Sequence, residues 1–270
     1  MLFSFNEREH RVKIFLIAQN TFRETARDRI LRFIVLLSLL IILASQAIAE
    51  IALGDRTKVI SDISLGAMDF FGIVLTLLMT TGLLYKEIQK KTLFTVLSHP
   101  VSRTEYLLGK YIGIATTLLV CFCLMAILLG IFLYWNGRNP SWMMINACFF
   151  LLLGLLLLTA IGFFFSTILT PLSSALATLL IFIAGRTSYE IKYWSESFTG
   201  LGKYFLETMY YLLPNFMYFN IKMAAVHEEW KAITNREASP DMFFYAILYF
   251  LAYTSFMLYA SILVFRKKNL

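Results

Sequence analysis

The chain has 270 residues, of which 59% are apolar and 15% charged, and it carries a formal net charge of +7. A soluble globular domain is about half apolar and roughly a quarter charged, so this balance excludes an ordinary soluble enzyme and indicates an integral membrane protein. A pI near 9.3 is what Lys and Arg clustered on the cytoplasmic side of membrane spans produce, and we read it that way rather than as a sign of nucleic-acid binding.

The opening MLFSFNEREHRVK has no apolar core behind a basic head and no small-residue cleavage site, so no cleaved signal peptide is expected. Residues 7–32 are predicted to form a helix on the membrane surface. Phe22, Ala26, Ile30 and Phe33 lie at helical spacing on its apolar face, with Arg23, Arg27, Arg29 and Arg32 toward the headgroups. The first span is predicted at about 30–53, followed by a polar turn at Asp55-Arg56-Thr57-Lys58, and the second at about 65–85. A charged island, 86–105, precedes a third span at about 106–135 and a turn at Asn136-Gly137-Arg138-Asn139-Pro140. The fourth span, about 142–165, is joined to a fifth, 171–184, through the tight connection Ser166-Thr167-Ile168-Leu169-Thr170-Pro171. Residues 185–241 are mixed, with the aromatic run YFLETMYYLLPNFMYF at their centre. Pro214 and Glu207 argue against a full crossing there and for an interfacial or re-entrant helix pair. The last span, about 242–265, ends in Arg266-Lys267-Lys268. Several of these apolar runs exceed the ~18–20 residues a crossing requires, and 25 Phe and 14 Tyr suit lipid-facing surfaces and interfacial belts. The expected fold is therefore an all-α integral membrane protein of six transmembrane helices in a single membrane domain, with an N-terminal surface helix and an outer helical segment between spans five and six.

Fifteen of the 24 Lys and Arg fall in the N-terminal segment, the 85–110 region and the C-terminal tail. The six in 185–241 are outnumbered there by seven acids. This bias predicts that both termini and the island are cytoplasmic, as an even number of spans requires.

The spans are almost bare of ionisable groups, which disfavours an intramembrane enzyme or ion pump. Glu50 and Asp69 are expected near the outer ends of spans one and two, snorkelling to the interface or lining a polar vestibule. His10, His99 and His227 are far apart, Cys121 and Cys123 face nearly opposite sides of one helix, and no metal-ligand spacing emerges. Cys148 also lies in an apolar run, and none of the three cysteines suggests a disulfide framework. Gly109-Lys110 and Gly202-Lys203 lack both the glycine five residues earlier and the following Ser or Thr of a phosphate-binding loop. No bound cofactor is expected in this chain.

The island reads KEIQKKTLFTVLSHPVSRTEYLLGK over 86–110. Glu87 and Lys91 are spaced for an i,i+4 pair, Leu93, Phe94 and Leu97 form an apolar face, and Pro100 breaks the helix. Ser102-Arg103-Thr104-Glu105 has the form of a capping box that restarts it. Gly109 and Gly113 then offer a G-x-x-x-G spacing for close approach of another helix at the cytoplasmic mouth. A basic loop against headgroups accounts for the charge, whereas a protruding knob for a cytoplasmic partner accounts for the helix–proline–helix form.

In this stretch Glu87, Lys91-Thr92, Pro100-Val101-Ser102-Arg103 and Gly109-Lys110 follow in the order of the signature of type-2 ABC transporter permeases, which the chain resembles. A basic residue at Lys91, where many members carry Gly, is similar to the branch containing the permease of nitrous-oxide reductase maturation. Asn20-Thr21-Phe22-Arg23-Glu24, Leu213-Pro214-Asn215-Phe216 and Phe265-Arg266-Lys267-Lys268 add to that likeness. The resemblance implies two permease copies, identical or similar, around a pathway, with two ATPase subunits beneath them holding ATP and Mg. The island would be the coupling element, with Glu87, Lys91, Thr92 and Arg103 as polar contacts and Pro100 setting the bend. The N-terminal helix would be the elbow, and the aromatic 204–219 cluster an outer cap. Expected roles are thus an exporter permease in a bacterial inner membrane, or an ATPase-linked anchor or assembly factor that transmits force without transport; an independent channel or intramembrane enzyme is the weaker third reading. For a permease, Thr76, Thr80, Thr116, Thr117 and Ser166 are the candidate pathway-lining hydroxyls, although Thr in an apolar helix also bonds its own backbone.

Overall fold

Asp28 separates the first two helices. Its backbone is extended (φ −66°, ψ 128°), and its carboxylate accepts a hydrogen bond from the Ile30 N–H, so it caps the second helix rather than continuing the first. A computed structural model describes residues 2–52, 55–89, 102–137, 139–198, 200–226 and 240–267. In chain order these form α1 (Leu2–Arg27), α2 (Arg29–Ile51), α3 (Arg56–Gln89), α4 (Arg103–Trp135), α5 (Trp142–Ile168), α6 (Pro171–Arg186), α7 (Ser188–Ser197), α8 (Leu201–Leu212), a 3₁₀ turn (Phe216–Phe219), α9 (Lys222–Val226) and α10 (Pro240–Lys267). Every regular element among the described residues is helical.

Among the described residues, five helices are long and apolar enough to cross a bilayer: α2, α3 through Gly82, α4, α5 and α10 from Met242. The sequence leads to six. The difference lies in α6, which has 16 residues, roughly 24 Å at 1.5 Å per residue, against an apolar core of about 30 Å. Thr170 and Pro171 start it where the sequence places the connection, and it ends at Arg186, two residues beyond the expected bound, before the chain turns at Thr187. Helix α3 also differs: it begins at Arg56, so the residues expected to form a polar turn are already its first turn.

The predicted surface helix is divided as well. Ile30 and Phe33 belong to α2; the side of α1 turned into the protein is Ala18, Thr21 and Thr25, while Phe22 is half-buried and Ala26 exposed on the side expected to meet lipid. Burial of small residues rather than large ones follows from how closely α1 approaches α4, described below. Arg23, Arg27, Arg29 and Arg32 are exposed, as a headgroup-facing side requires.

At the centre stands α5, with 67% of its apolar stretch buried. Leu157, Leu158, Ala160 and Phe163 are fully buried on a helix packed against α3, α4, α6, α10 and the 3₁₀ turn. By contrast, only 11% of α10 is buried, and it presents Phe244, Leu248, Leu251, Phe256 and Leu263 outward, as lipid contact demands. Trp135 and Trp142, 82% and 75% exposed, mark one end of the bundle beside the Gly137 turn, where φ is +74°. The opposite end gathers α1, the start of α4, the α5–α6 connection and the end of α10.

Residues 185–241 do contain the expected helix pair, α7 and α8, packed on each other. Beyond it the chain dips into the bundle. The Pro214 carbonyl lies against Gly185 so closely that any side chain at Gly185 would collide with it. Phe219 packs on Gly154 near the middle of α5, and the Asn215 N–H donates to the Tyr249 hydroxyl at 2.9 Å. Irregular backbone at membrane depth is stable only when protein surrounds it, and Asn215, Phe216, Phe219 and Ile221 are all buried.

Candidate coupling site and intramembrane ion cluster

The island connects the last residue of α3 to the first of α4. Glu87 lies in the final turn of α3; its side chain, like Lys91, Thr92 and Pro100 altogether, lies outside the described residues. On the far side of the gap the capping box forms as the sequence predicts. The Ser102 N–H donates to Glu105 Oε2 at 2.6 Å, and the Glu105 N–H donates to Ser102 Oγ at 3.2 Å. Two otherwise orphaned donors at the start of α4 are thereby satisfied, which accounts for a buried carboxylate at Glu105.

From this rigid start three connections spread into the bundle. Arg103 Nη1 donates to the carbonyls of Phe265 and Arg266 at 3.2 and 3.1 Å, closing the last turn of α10 with a cation where the helix dipole favours one. One turn further, the Tyr106 ring stacks on Phe265 with 6.3 Å between centroids. Lys110, almost fully buried, sits 3.6 Å from Glu24 of α1 and 5.9 Å from the centre of the Tyr106 ring. The partner for the G-x-x-x-G spacing is α1: a Cβ on Gly109 would stand 2.7 Å from the Ile17 Cβ, and one on Gly113 would stand 2.7 Å from the Ala18 carbonyl oxygen. The structure thus brings Arg103, Gly109 and Gly113 into one junction of α1, α4 and α10.

The five candidate pathway residues are not brought together. Thr80 lies where α3 crosses α5 and α6; its hydroxyl donates to the Thr76 carbonyl at 2.8 Å, and a Cβ on Gly162 would stand 2.7 Å from its oxygen. Thr76 is fully buried beside it, its own hydroxyl without a partner among the described residues. Thr117 and Ser166 are buried and donate to Gly113 and Phe163 carbonyls, whereas Thr116 is exposed and donates to Ile112. None of the five lines the three cavities described among these residues. The largest, about 220 Å³, opens between α2 and α3 beside Thr25, Asp28, Leu31 and Met79.

A second cluster was not anticipated. Asp69, expected near an outer helix end either snorkelling to the interface or lining a polar vestibule, lies about 20 Å along α3 because that helix starts at Arg56. Both Arg186 Nη1, at 2.7 Å, and Lys222 Nζ, at 2.6 Å, donate to the same Asp69 oxygen, Oδ2. The three side chains are 14%, 31% and 20% exposed. Asp69 and Arg186 border a cavity of about 20 Å³ shared with Leu151, Gly154, Leu155, Phe216 and Asn220, roughly 13–20 Å below Trp142 along α5. The cluster is therefore at membrane depth. Its signal in the sequence was an acid in an apolar run, which requires a cation somewhere; which of the distant cations supplies it is a matter of folding.

The fold is that of a multi-pass membrane protein with a packed helix junction at one end and an ion cluster within the bundle, and the sequence holds no nucleotide-binding loop. The chain belongs to the ABC-2 family transporter proteins, whose family model matches residues 15–270. No curated protein matches the sequence. Membership makes this an ABC-2-type permease, the membrane component of an ABC transporter, and implies a separate ABC ATPase as partner.

Proposed function

We propose that this chain couples ATP hydrolysis in a partner ATPase, which holds the ATP and Mg, to export of a substrate from a bacterial cell across its inner membrane. The observation that carries the proposal is the junction at the start of α4. Residues 90–101 join α3 directly to a helix start locked by its capping box, by Arg103 to the end of α10, and by Gly109 and Gly113 to α1. A push on that segment reaches four helices at once, as a coupling element requires. The distribution of Lys and Arg supports cytoplasmic placement of this end and of both termini, with α6 and the outer segment together completing the sixth passage. The Trp135–Trp142 end then faces outward, with the aromatic 204–219 cluster as the outer cap. The exposed apolar faces fit lipid and a second permease copy, identical or similar. Within the family, the basic residue at Lys91 supports the nitrous-oxide reductase maturation branch.

The test is purification of the tagged protein from native membranes in mild detergent. An ATP-hydrolysing subunit is expected with wild type, and its recovery is expected to be weakened with Glu87→Arg. Absence of any ATPase from wild type across several mild detergents would overturn the reading.

A further inference from the structure

Between α8 and α9 the chain dips into the bundle and returns, and both limbs of the dip are held at one atom. On the way in, the Pro214 carbonyl lies against Gly185, and the next residue of α6, Arg186, donates to Asp69 Oδ2 at 2.7 Å. On the way out, Lys222 at the start of α9 donates to the same Oδ2 at 2.6 Å. Between the limbs, Phe216 meets the Phe182 ring of α6 at 5.1 Å and Phe219 packs on Gly154 of α5. The Arg186 guanidinium also lies 5.7 Å from the centre of the Phe182 ring, so the ionic and aromatic contacts fix one another.

These contacts differ in kind. Apolar packing is non-directional and tolerates a small slide. Two charge-assisted hydrogen bonds converging on one carboxylate oxygen hold distance and angle, and both are lost together when that oxygen is lost. Helix α9 packs on α3 as well, but Asp69 is the side chain of α3 that fastens both limbs. Beneath the dip is a cavity of about 20 Å³, room for one water-sized group. Its wall on α5 is Leu151, Gly154 and Leu155, and Leu151 is only 6% exposed.

We propose that Asp69 is the latch of a lid: its carboxylate holds the 213–222 dip closed over the centre of α5, and loss of that carboxylate opens the bundle to water at Leu151. Helix α3 runs without a break from Arg56 to Gln89, which places the latch and Glu87 on one helix roughly 27 Å apart. A displacement of α3 at the island is thereby delivered to the lid. That last step rests on the coupling reading given above; the latch itself does not.

The test is thiol labelling of Leu151→Cys in a background lacking Cys121, Cys123 and Cys148, with the protein in nanodiscs. The reagent is a water-soluble cationic methanethiosulfonate, which freed Arg186 and Lys222 would repel rather than attract. Adding Asp69→Asn is expected to make labelling about tenfold faster, the ratio that ~1.4 kcal/mol of lost closure gives. Lys222→Gln, which leaves Arg186 on the carboxylate, should accelerate it less, and Lys222→Arg, which keeps a cation there, should not accelerate it. Thr80→Cys, wholly buried where α3 crosses α5 and α6, should stay protected in every background. Unchanged labelling of Leu151→Cys with Asp69→Asn would overturn the latch, as would equal acceleration at Thr80→Cys, which marks general loosening. If Asp69→Asn does not elute as folded protein, the two Lys222 variants decide, and equal rates in them overturn the latch. Nanodiscs expose both faces and no ATPase is present, so failure here is separable from failure of the coupling reading.

Discussion

Gly113 of α4 and Thr21 of α1 are packed so closely that a Cβ added to the glycine would lie 2.6 Å from the Cβ of the threonine. Atoms of α1 backbone stand equally near, so the neighbour cannot yield by rotating a side chain. Gly113→Leu is therefore expected to lower stability by about 1–3 kcal/mol, the usual range for overpacking, seen as a lower midpoint of thermal unfolding in detergent. Gly66→Ala is the control: nothing lies within 4 Å of that position, and replacing an exposed helical glycine by alanine favours the helix, so its midpoint should stay or rise. Equal losses in both variants would show that the α1–α4 approach is not what makes Gly113 necessary.

Arg103 joins the start of α4 to the end of α10 through two carbonyls. Its truncation in Arg103→Ala should cost about 1–2 kcal/mol, the lower part of the range for charged hydrogen bonds, since the site is partly solvated. Arg103→Lys, which cannot span two acceptors from a planar fork, should recover part of this. Hydrogen exchange confined to the last turn of α10 is the discriminating readout; acceleration there in Arg103→Ala, with α5 unchanged, is the expected pattern.

The coupling proposal separates Glu87 from Arg103. Glu87→Arg should leave thermal unfolding of the permease alone nearly unchanged and reduce recovered ATPase by about tenfold, equivalent to ~1.4 kcal/mol of contact. If Glu87→Arg instead unfolds the permease to the same extent as Arg103→Ala, Glu87 is a structural residue and the partner contact must lie elsewhere in 90–101.

For the pathway, thiol labelling of Thr80→Cys and Thr116→Cys in a background lacking Cys121, Cys123 and Cys148 is informative. In this conformation Thr116 is exposed and Thr80 wholly buried, so a small membrane-permeant maleimide should label the former and spare the latter. Labelling of Thr80→Cys by a water-soluble reagent only during ATP turnover would show that the α3–α5–α6 crossing opens to water. Persistent protection under turnover would exclude Thr80 from a pathway.

The capping box at Ser102–Glu105, the Thr170-Pro171 helix start and the Gly137 turn were legible in the sequence because each is a local arrangement of three to five residues. The motif residues Lys91, Thr92 and Pro100, proposed for coupling, were legible as a pattern, and the resemblance that they carry agrees with the family match. The extent of α3 and the division at Asp28 were not. Helix ends inside polar stretches are decided by capping and by what the next segment packs against, not by hydropathy. The threonines of the spans illustrate the same boundary: their presence is plain, but whether a hydroxyl faces a lumen or its own carbonyl depends on which helices cross.

Composition and hydropathy by themselves made this a helical membrane protein, because burial of backbone polar groups in lipid leaves a run of apolar residues few other forms to take. The order of motifs in the island was likewise enough to indicate the family. Only the tertiary structure could decide that α1 is the partner of Gly109 and Gly113, or that Asp69 meets Arg186 and Lys222 from positions more than 100 residues distant. Close approach and charge pairing act through space over a few ångströms, so they are set by how the helices pack and not by their separation along the chain.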